Sequence, residues 1–345
     1  MRIGPYALSD PLCLAPMAGV TDRPFRQLCR RLGAGHVVGE MVTSRPELRD
    51  SRKTLTRLDH RGESAPIAVQ IVGTEPAEMA DAARFNIDRG AQIIDINMGC
   101  PAKKVCSKWA GSALMQDEPL ALAIVEAVVA ACAPHGVPVT LKMRTGWSAE
   151  ARNAVSLARK AEAAGVAMVA VHGRTREQAY RGAAEHDTVT AVKSALRIPV
   201  VANGDITSPT RARAVLQSTG ADAVMIGRGA MGRPWLFAAI RHELSTGEPM
   251  PQPDTLQVHA WLHEQLIEHH ALYGEWSGVR SARKHIAWTL ADLPGSEALR
   301  QRINGLETAQ AQLDLLNEWF QALAQQHPQL PWSWPDNPTH QALAA

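Results

Sequence analysis

Short apolar runs recur along the first two thirds of the chain, each followed by a segment with helical spacing, and this alternation restricts the fold to βα units around a parallel sheet. The runs occupy residues 12–15, 36–39, 67–71, 93–96, 137–143, 168–171, 198–202 and 223–226. About eight such units predict a TIM (β/α)8 barrel of the α/β class. A doubly wound sheet is the weaker alternative, because no Gly-x-Gly-x-x-Gly follows the first run. Local punctuation agrees with the barrel. Ser208 is placed to cap a helix that starts at Pro209 and stops at Gly220, and Gly90 and Gly165 end two others. Residues 119–133 are apolar nearly all round and predict a well-buried helix of the outer ring.

Near Pro249, Pro251 and Pro253 the rhythm stops. From residue 256 to about 324 the spacing of Trp261, Leu262, Leu266, Trp288, Leu290, Leu313, Leu316 and Phe320 predicts a small C-terminal helical bundle. The expected division is a barrel over 1–248, a helical domain over 249–325 and an extended or poorly ordered tail over 326–345, with Pro-Trp-Ser-Trp-Pro at 331–335.

At 345 residues and 46% hydrophobic, the chain has material for one large core and a smaller appended one. There is no run of about 18 apolar residues and no basic-then-apolar leader, so a cytoplasmic protein without membrane attachment is expected. Five cysteines (Cys13, Cys29, Cys100, Cys106, Cys132), odd in number and without a Cys-x-x-Cys pair, argue against disulfides and zinc; reduced thiols and no metal are expected. The net charge of +2 does not by itself announce a nucleic-acid binder. Residues 251–345 hold five Lys/Arg against ten Asp/Glu, yet Arg280, Arg283 and Lys284 cluster within them. At spacings of three and four, a helix would turn these three toward one phosphate track.

In a barrel, residues at the C-terminal strand ends converge on one mouth whatever their separation in sequence. Here they are Pro16-Met17-Ala18, Glu40, Gln70, Asn97 and Cys100, Lys142 and Arg144, His172-Gly173-Arg174, Asn203-Gly204-Asp205 and Gly227-Arg228-Gly229. Glycines after the seventh and eighth runs, beside an arginine, suit a phosphate cup. The cup, a lysine and amides inside the mouth, and the lack of metal-ligand spacing together suggest flavin mononucleotide (FMN), with Lys142 near the N1/O2 edge of the flavin. Cys100 sits in a Gly/Pro-shaped turn next to Lys103 and Lys104. A thiol of ordinary pKa, about 8.5, serves as an acid when protonated and as a nucleophile when ionised, and the sequence leaves both open.

Several of these stretches resemble the tRNA-dihydrouridine synthases: residues 1–4, 15–26, 95–104, 141–147, 172–176, 202–206 and 225–228. Asn-Met-Gly-Cys-Pro-Ala-Lys-Lys at 97–104 is similar to the wording of the bacterial B type of that family. The resemblance runs from residue 1 to about 325 and departs at Cys106-Ser107, where the family usually reads Asn-Arg. It implies an FMN-bound barrel and a helical domain that together grip tRNA, and a D-loop uridine flipped out of the fold to reach the flavin. NADPH would reduce the flavin, hydride would pass to uracil C6, and Cys100 would protonate C5, which implies an acid role for the thiol. Pro16, Met17, Ala18, Gln70, Lys142, His172, Asn203, Gly204, Asp205, Gly227 and Arg228 would hold FMN. Asn97 would lie near flavin or uracil, and Lys103, Lys104, Arg280, Arg283 and Lys284 would contact tRNA. The B-type wording suggests uridine 17. A monomer with no protein partner is expected. Two other readings are open: an FMN oxidoreductase of the dihydroorotate dehydrogenase type, which has no use for the appended helices, and a non-catalytic RNA-binding protein, which has none for a flavin.

Overall fold

The computed structural model describes residues 1–107, 109–291, 293–331 and 334. Nine strands form one parallel sheet in the order His36–Val37, Leu12–Leu14, Ala223–Ile226, Val200–Asn203, Met168–His172, Val139–Arg144, Ile93–Met98, Ala68–Val72 and Val42–Thr43. A parallel bridge from Val38 to Ala68 closes the ring. The second stave is therefore one strand interrupted at residues 39–41, whose halves pair with the same neighbour at Ala68 and at Ile71. Glu40 lies in this interruption and is buried.

Side chains alternate between the two faces of each strand. One set, including Leu12, Ile94, Leu141, Val169 and Val224, packs outward against the helices. The other fills the barrel: Cys13, Ala68, Ile93, Met168, Val201 and Ala223 make an apolar floor, and polar groups take over toward the C-terminal ends. Ile3 and Leu8, in and beside a hairpin of Arg2–Ile3 with Tyr6–Ala7 that the sequence pattern did not show, join that floor and cover the N-terminal end.

Outer helices follow their caps. Ser208 Oγ accepts from the Arg211 amide at 3.1 Å, and Gly220 ends that helix at φ 64°. Asp117 caps Glu118–Cys132 through the Leu120 amide at 3.0 Å, and Ala121, Ile124, Val125 and Val128 bury its inner face. With the turn that follows, this element is long and apolar enough by composition to cross a membrane, although Glu118 and Glu126 keep it from being an unbroken apolar run. It instead packs into the outer core of the barrel.

Beyond residue 250 the helices Thr255–Tyr273, Glu275–Leu290, Ser296–Gly305 and Ala309–Gln326 enclose their own core around Leu266, Ile286, Leu316 and Phe320. Trp235, from the barrel side, stacks on Trp261 at 5.9 Å. Polar ties complete the junction. His269 Nδ1 lies 2.9 Å from Asp22 Oδ2, Arg23 pairs with Glu268 at 3.1 Å, and the Lys284 ammonium donates to the Gly19 carbonyl.

The buried histidines predict acid sensitivity. Burial pushes His36 down to about 4 and His285 down to about 3, so the unfolded chain takes up protons at a higher pH than the folded one. Their contribution is fully present above the ordinary histidine pKa of about 6.5 and is lost as pH falls toward the folded values, at most on the order of 3–5 kcal/mol each. Thermal unfolding followed from pH 7 to 4 should show the midpoint falling steeply, and His285→Gln should flatten that fall.

Candidate active site

A cavity of about 940 Å³ opens at the C-terminal mouth of the barrel. It is lined by every residue the sequence assigned to FMN (Pro16, Met17, Ala18, Gln70, Lys142, His172, Asn203, Gly204, Asp205, Gly227 and Arg228), and by Asn97, Cys100 and Lys284.

A hydrogen-bonded chain runs from the barrel interior to the cysteine. Thr140 Oγ1 and Gln70 Nε2 each donate to Asp95, both at 2.6 Å. The amide of Asn97 donates to Gln70 Oε1 at 2.6 Å, and its Oδ1 accepts from the backbone amides of Gly99 at 3.1 Å and Cys100 at 3.0 Å. Asn97 thus shapes the turn that carries Cys100. The Cys100 carbonyl is also held, by Ser112 Oγ at 2.8 Å and Ser112 N at 3.1 Å. Burial pushes the Cys100 thiol up, and the cations of Arg144 and Lys142 pull it down less strongly. The net effect favours the thiol form of Cys100.

The adjacent strand, with Lys142 in register with Asn97, is cationic. Lys142 Nζ donates to Asn203 Oδ1 at 3.1 Å, and Asn203 Nδ2 donates to the Met225 carbonyl at 2.7 Å. Burial, with Arg144 nearby, lowers Lys142 to about 8. Arg144 donates to the carbonyls of Gly99, Thr175 and Ala179 at 2.7, 2.9 and 2.8 Å, tying the Cys100 turn to the loop after the sixth barrel strand. Burial and then the cations of Arg144 and Lys142 hold His172 well below its usual pKa, so it is neutral.

Gly204 lies at φ +128°, and a Cβ there would stand 2.6 Å from Ala184 Cβ, so only glycine lets these loops meet. Among the described residues, no backbone carbonyl accepts from the amides of Gly204, Asp205, Gly227 or Arg228. Oδ2 of the Asp205 carboxylate accepts from Arg174 at 2.7 Å and from the Ala184 amide at 2.7 Å, while Oδ1 lies 3.8 Å from Arg228. Asp205 offers an anion its backbone N–H, and the Arg228 guanidinium, which also faces the Asp205 carboxylate, supplies charge. This donor set fits a terminal phosphate, and the half-buried ammonium of Lys142 fits the electron-rich edge of a flavin.

Two strand-end residues that the sequence left without a role act on loops. Glu40 accepts from the Gly19 amide at 2.6 Å and pairs with Arg57 at 3.0 Å, which fixes the 16–21 turn. Arg174 clamps the 181–184 segment through Arg181, Gly182 and Asp205.

The three basic residues expected on one face have different partners. Of the three basic residues Lys284 lines the cavity; Arg283 donates to the Leu306 carbonyl at 3.0 Å, and exposed Arg280 donates to the Trp276 carbonyl at 3.0 Å. At 100° per residue, Arg283 and Lys284 are a quarter-turn apart, and each is captured by a different neighbour. The side chains of Lys103 and Lys104 and most of the tail lie outside the described residues.

Asp22, His269 and His285 bring ligand-type atoms within 4.8 Å of one another, a grouping that their separation in sequence concealed. Asp22 caps the helix Arg23–Arg31, and His269 bridges it to Ser281 Oγ at 2.7 Å, so the group acts as a hydrogen-bonded junction.

A model of the family described as dihydrouridine synthase matches residues 13–325. The chain is 56% identical over 323 residues to tRNA-dihydrouridine synthase B of Xanthomonas axonopodis pv. citri, covering 94% of this chain and 96% of that one. It is 57% identical over 320 residues to the protein of that name from Pseudomonas aeruginosa (93% and 96% covered) and 50% over 324 residues to that of Salmonella typhimurium (94% and 100%). Among solved structures it resembles histamine dehydrogenase from Rhizobium sp. 4-9, with a TM-score of 0.54 at 12% identity over 94% of this chain and 64% of that one. It also resembles an old yellow enzyme homologue from Zymomonas mobilis, with a TM-score of 0.50 at 14% identity over 76% and 94%. At these identities the likeness is one of fold.

Proposed function

Because this chain belongs to the dihydrouridine synthase family, we propose that it is an enzyme that reduces the C5=C6 bond of a D-loop uridine in tRNA to 5,6-dihydrouridine, with FMN in the barrel mouth and NADPH as reductant. The observation that carries the reading is a cysteine and a half-buried lysine lining one cavity, the cysteine's surroundings favouring its thiol form. FMN, when bound there, supplies the hydride for uracil C6. The chain's own residues do the rest. The amides of Gly204, Asp205, Gly227 and Arg228, with the Arg228 guanidinium, bind the phosphate; Lys142, oriented by Asn203, faces the flavin; Asn97 positions the Cys100 turn; and the Cys100 thiol gives its proton to C5. Pro16, Met17, Ala18, Gln70 and His172 complete the flavin site.

In this reading residues 1–248 hold the cofactor, 249–325 help to grip tRNA as the barrel does at Lys103 and Lys104, and 326–345 form a tail. The protein works in the cytoplasm as a monomer, and the B-type wording of 97–104 favours uridine 17. Mapping dihydrouridine in tRNA from cells with and without this gene tests the assignment. Loss of the modification at one D-loop position is expected, and an unchanged map contradicts it.

Arg228→Ala removes the one side-chain cation of the phosphate cup while leaving its amides, so FMN affinity should fall about tenfold or more. Flavin absorbance of the purified variant, and titration with added FMN, measure this.

A further inference from the structure

Trp276 is 70% exposed, although large hydrophobic side chains of this chain are otherwise mostly covered. It stands at the start of the helix Glu275–Leu290, and the Arg280 guanidinium lies over its ring at 4.3 Å while donating to its carbonyl. The ring is thus held in one orientation with a cation on one side.

Three residues earlier, the Tyr273 carbonyl accepts from Arg52 at 2.7 Å. Arg52 opens the short barrel helix Arg52–Arg57, and the next residue, Lys53, is exposed. Among the described residues, Arg52, Lys53 and Arg280 form no ion pair with a carboxylate, whereas Arg45, Arg49, Arg57 and Arg61 each do. Unpaired cations around an exposed indole recur where single-stranded nucleic acid is bound, the ring taking a base and the cations its phosphates.

The position relative to the cavity gives this patch its use. Arg57, at the other end of the short helix, donates to the carbonyl of Met41, which lines the cavity. Lys284 lines it too, eight residues along the helix from Trp276 and so about 12 Å along its axis.

Resting on the function proposed above, we propose that Trp276 stacks an unpaired tRNA base near the uridine delivered to the cavity, with Arg52, Lys53 and Arg280 on the neighbouring phosphates. The grip therefore spans both parts of the molecule and replaces the single face expected at 280–284.

The test compares wild type with Trp276→Ala, Trp276→Phe and the double variant Arg52→Ala/Lys53→Ala, each loaded with FMN. Trp276→Ala should raise the tRNA Kd and KM about tenfold, while flavin content and NADPH-driven flavin reduction stay at the wild-type level. Trp276→Phe, which keeps an aromatic face, should recover most of the loss. The double variant should lower the slope of log affinity against log salt by about 2. Wild-type tRNA affinity in Trp276→Ala, with the salt slope unchanged in the double variant, would overturn the proposal while leaving the function standing. Failure of the wild-type protein to bind or modify tRNA would overturn both.

Discussion

Cys100→Ala is expected to lower dihydrouridine formation by roughly a hundred- to ten-thousandfold, the range for removal of a positioned general acid. FMN binding and NADPH oxidation should stay near wild type, since neither uses the thiol. The turn should keep its shape, because Asn97 and Ser112 hold its backbone and not its sulfur. Stopped-flow measurement of the two half-reactions separates the effects, and near-normal tRNA turnover in this variant excludes Cys100 as the obligatory acid. The raised thiol pKa adds a pH signature. Because burial favours the protonated form, Cys100 should remain a competent acid beyond the ordinary thiol range of about 8.5, so ionisation of this group should not limit turnover below that pH.

The second large effect belongs to Lys142. Replacing it with methionine removes the half-buried cation on the wall of the cavity, and flavin reduction and uridine reduction should both slow, on the order of a hundredfold. Its pKa of about 8 means that the charge is present below that pH and is lost above it. In the wild type, flavin reduction should therefore decline above pH 8. Lys142→Arg, which keeps its charge longer, should remove the decline while fitting less well. A Lys142→Met protein that reduced FMN at the normal rate would reassign this residue to packing. The same change also takes the nearest cation from Asp95, whose carboxyl burial already pushes up. The pH dependence of Lys142→Met therefore needs comparison with that of Asp95→Asn.

The barrel was readable in the sequence because each strand is a local apolar run and the closed sheet brings all strand ends to one mouth. That is why Gly204 and Arg228, paired with no contact visible in the sequence, were placed together correctly. What escaped were features set by tertiary docking. The residues 2–7 hairpin is too short to show a period, and the stave broken at residues 39–41 reads as two fragments. Asp95 lay inside the motif that was singled out, but only the pairing of Gln70 with Asp95 across adjacent strands shows it as the middle of a relay. The helical cluster shows the converse limit. Spacing placed Arg280, Arg283 and Lys284 on one arc, but which edge of that arc meets Leu306 and which meets Gly19 depends on how the helix sits on the barrel. Asp22 and His269, 247 positions apart, left no sequence signal of their contact.

The central claim is that the cavity couples flavin oxidation to reduction of a uridine in tRNA. Enzyme reduced with one equivalent of NADPH, freed of excess reductant and mixed anaerobically with tRNA that lacks dihydrouridine, tests it in a single turnover. The account predicts one dihydrouridine formed per flavin reoxidised, all at one D-loop position that mapping identifies as uridine 17. Flavin that stays reduced in the presence of this tRNA but is reoxidised by orotate would contradict it.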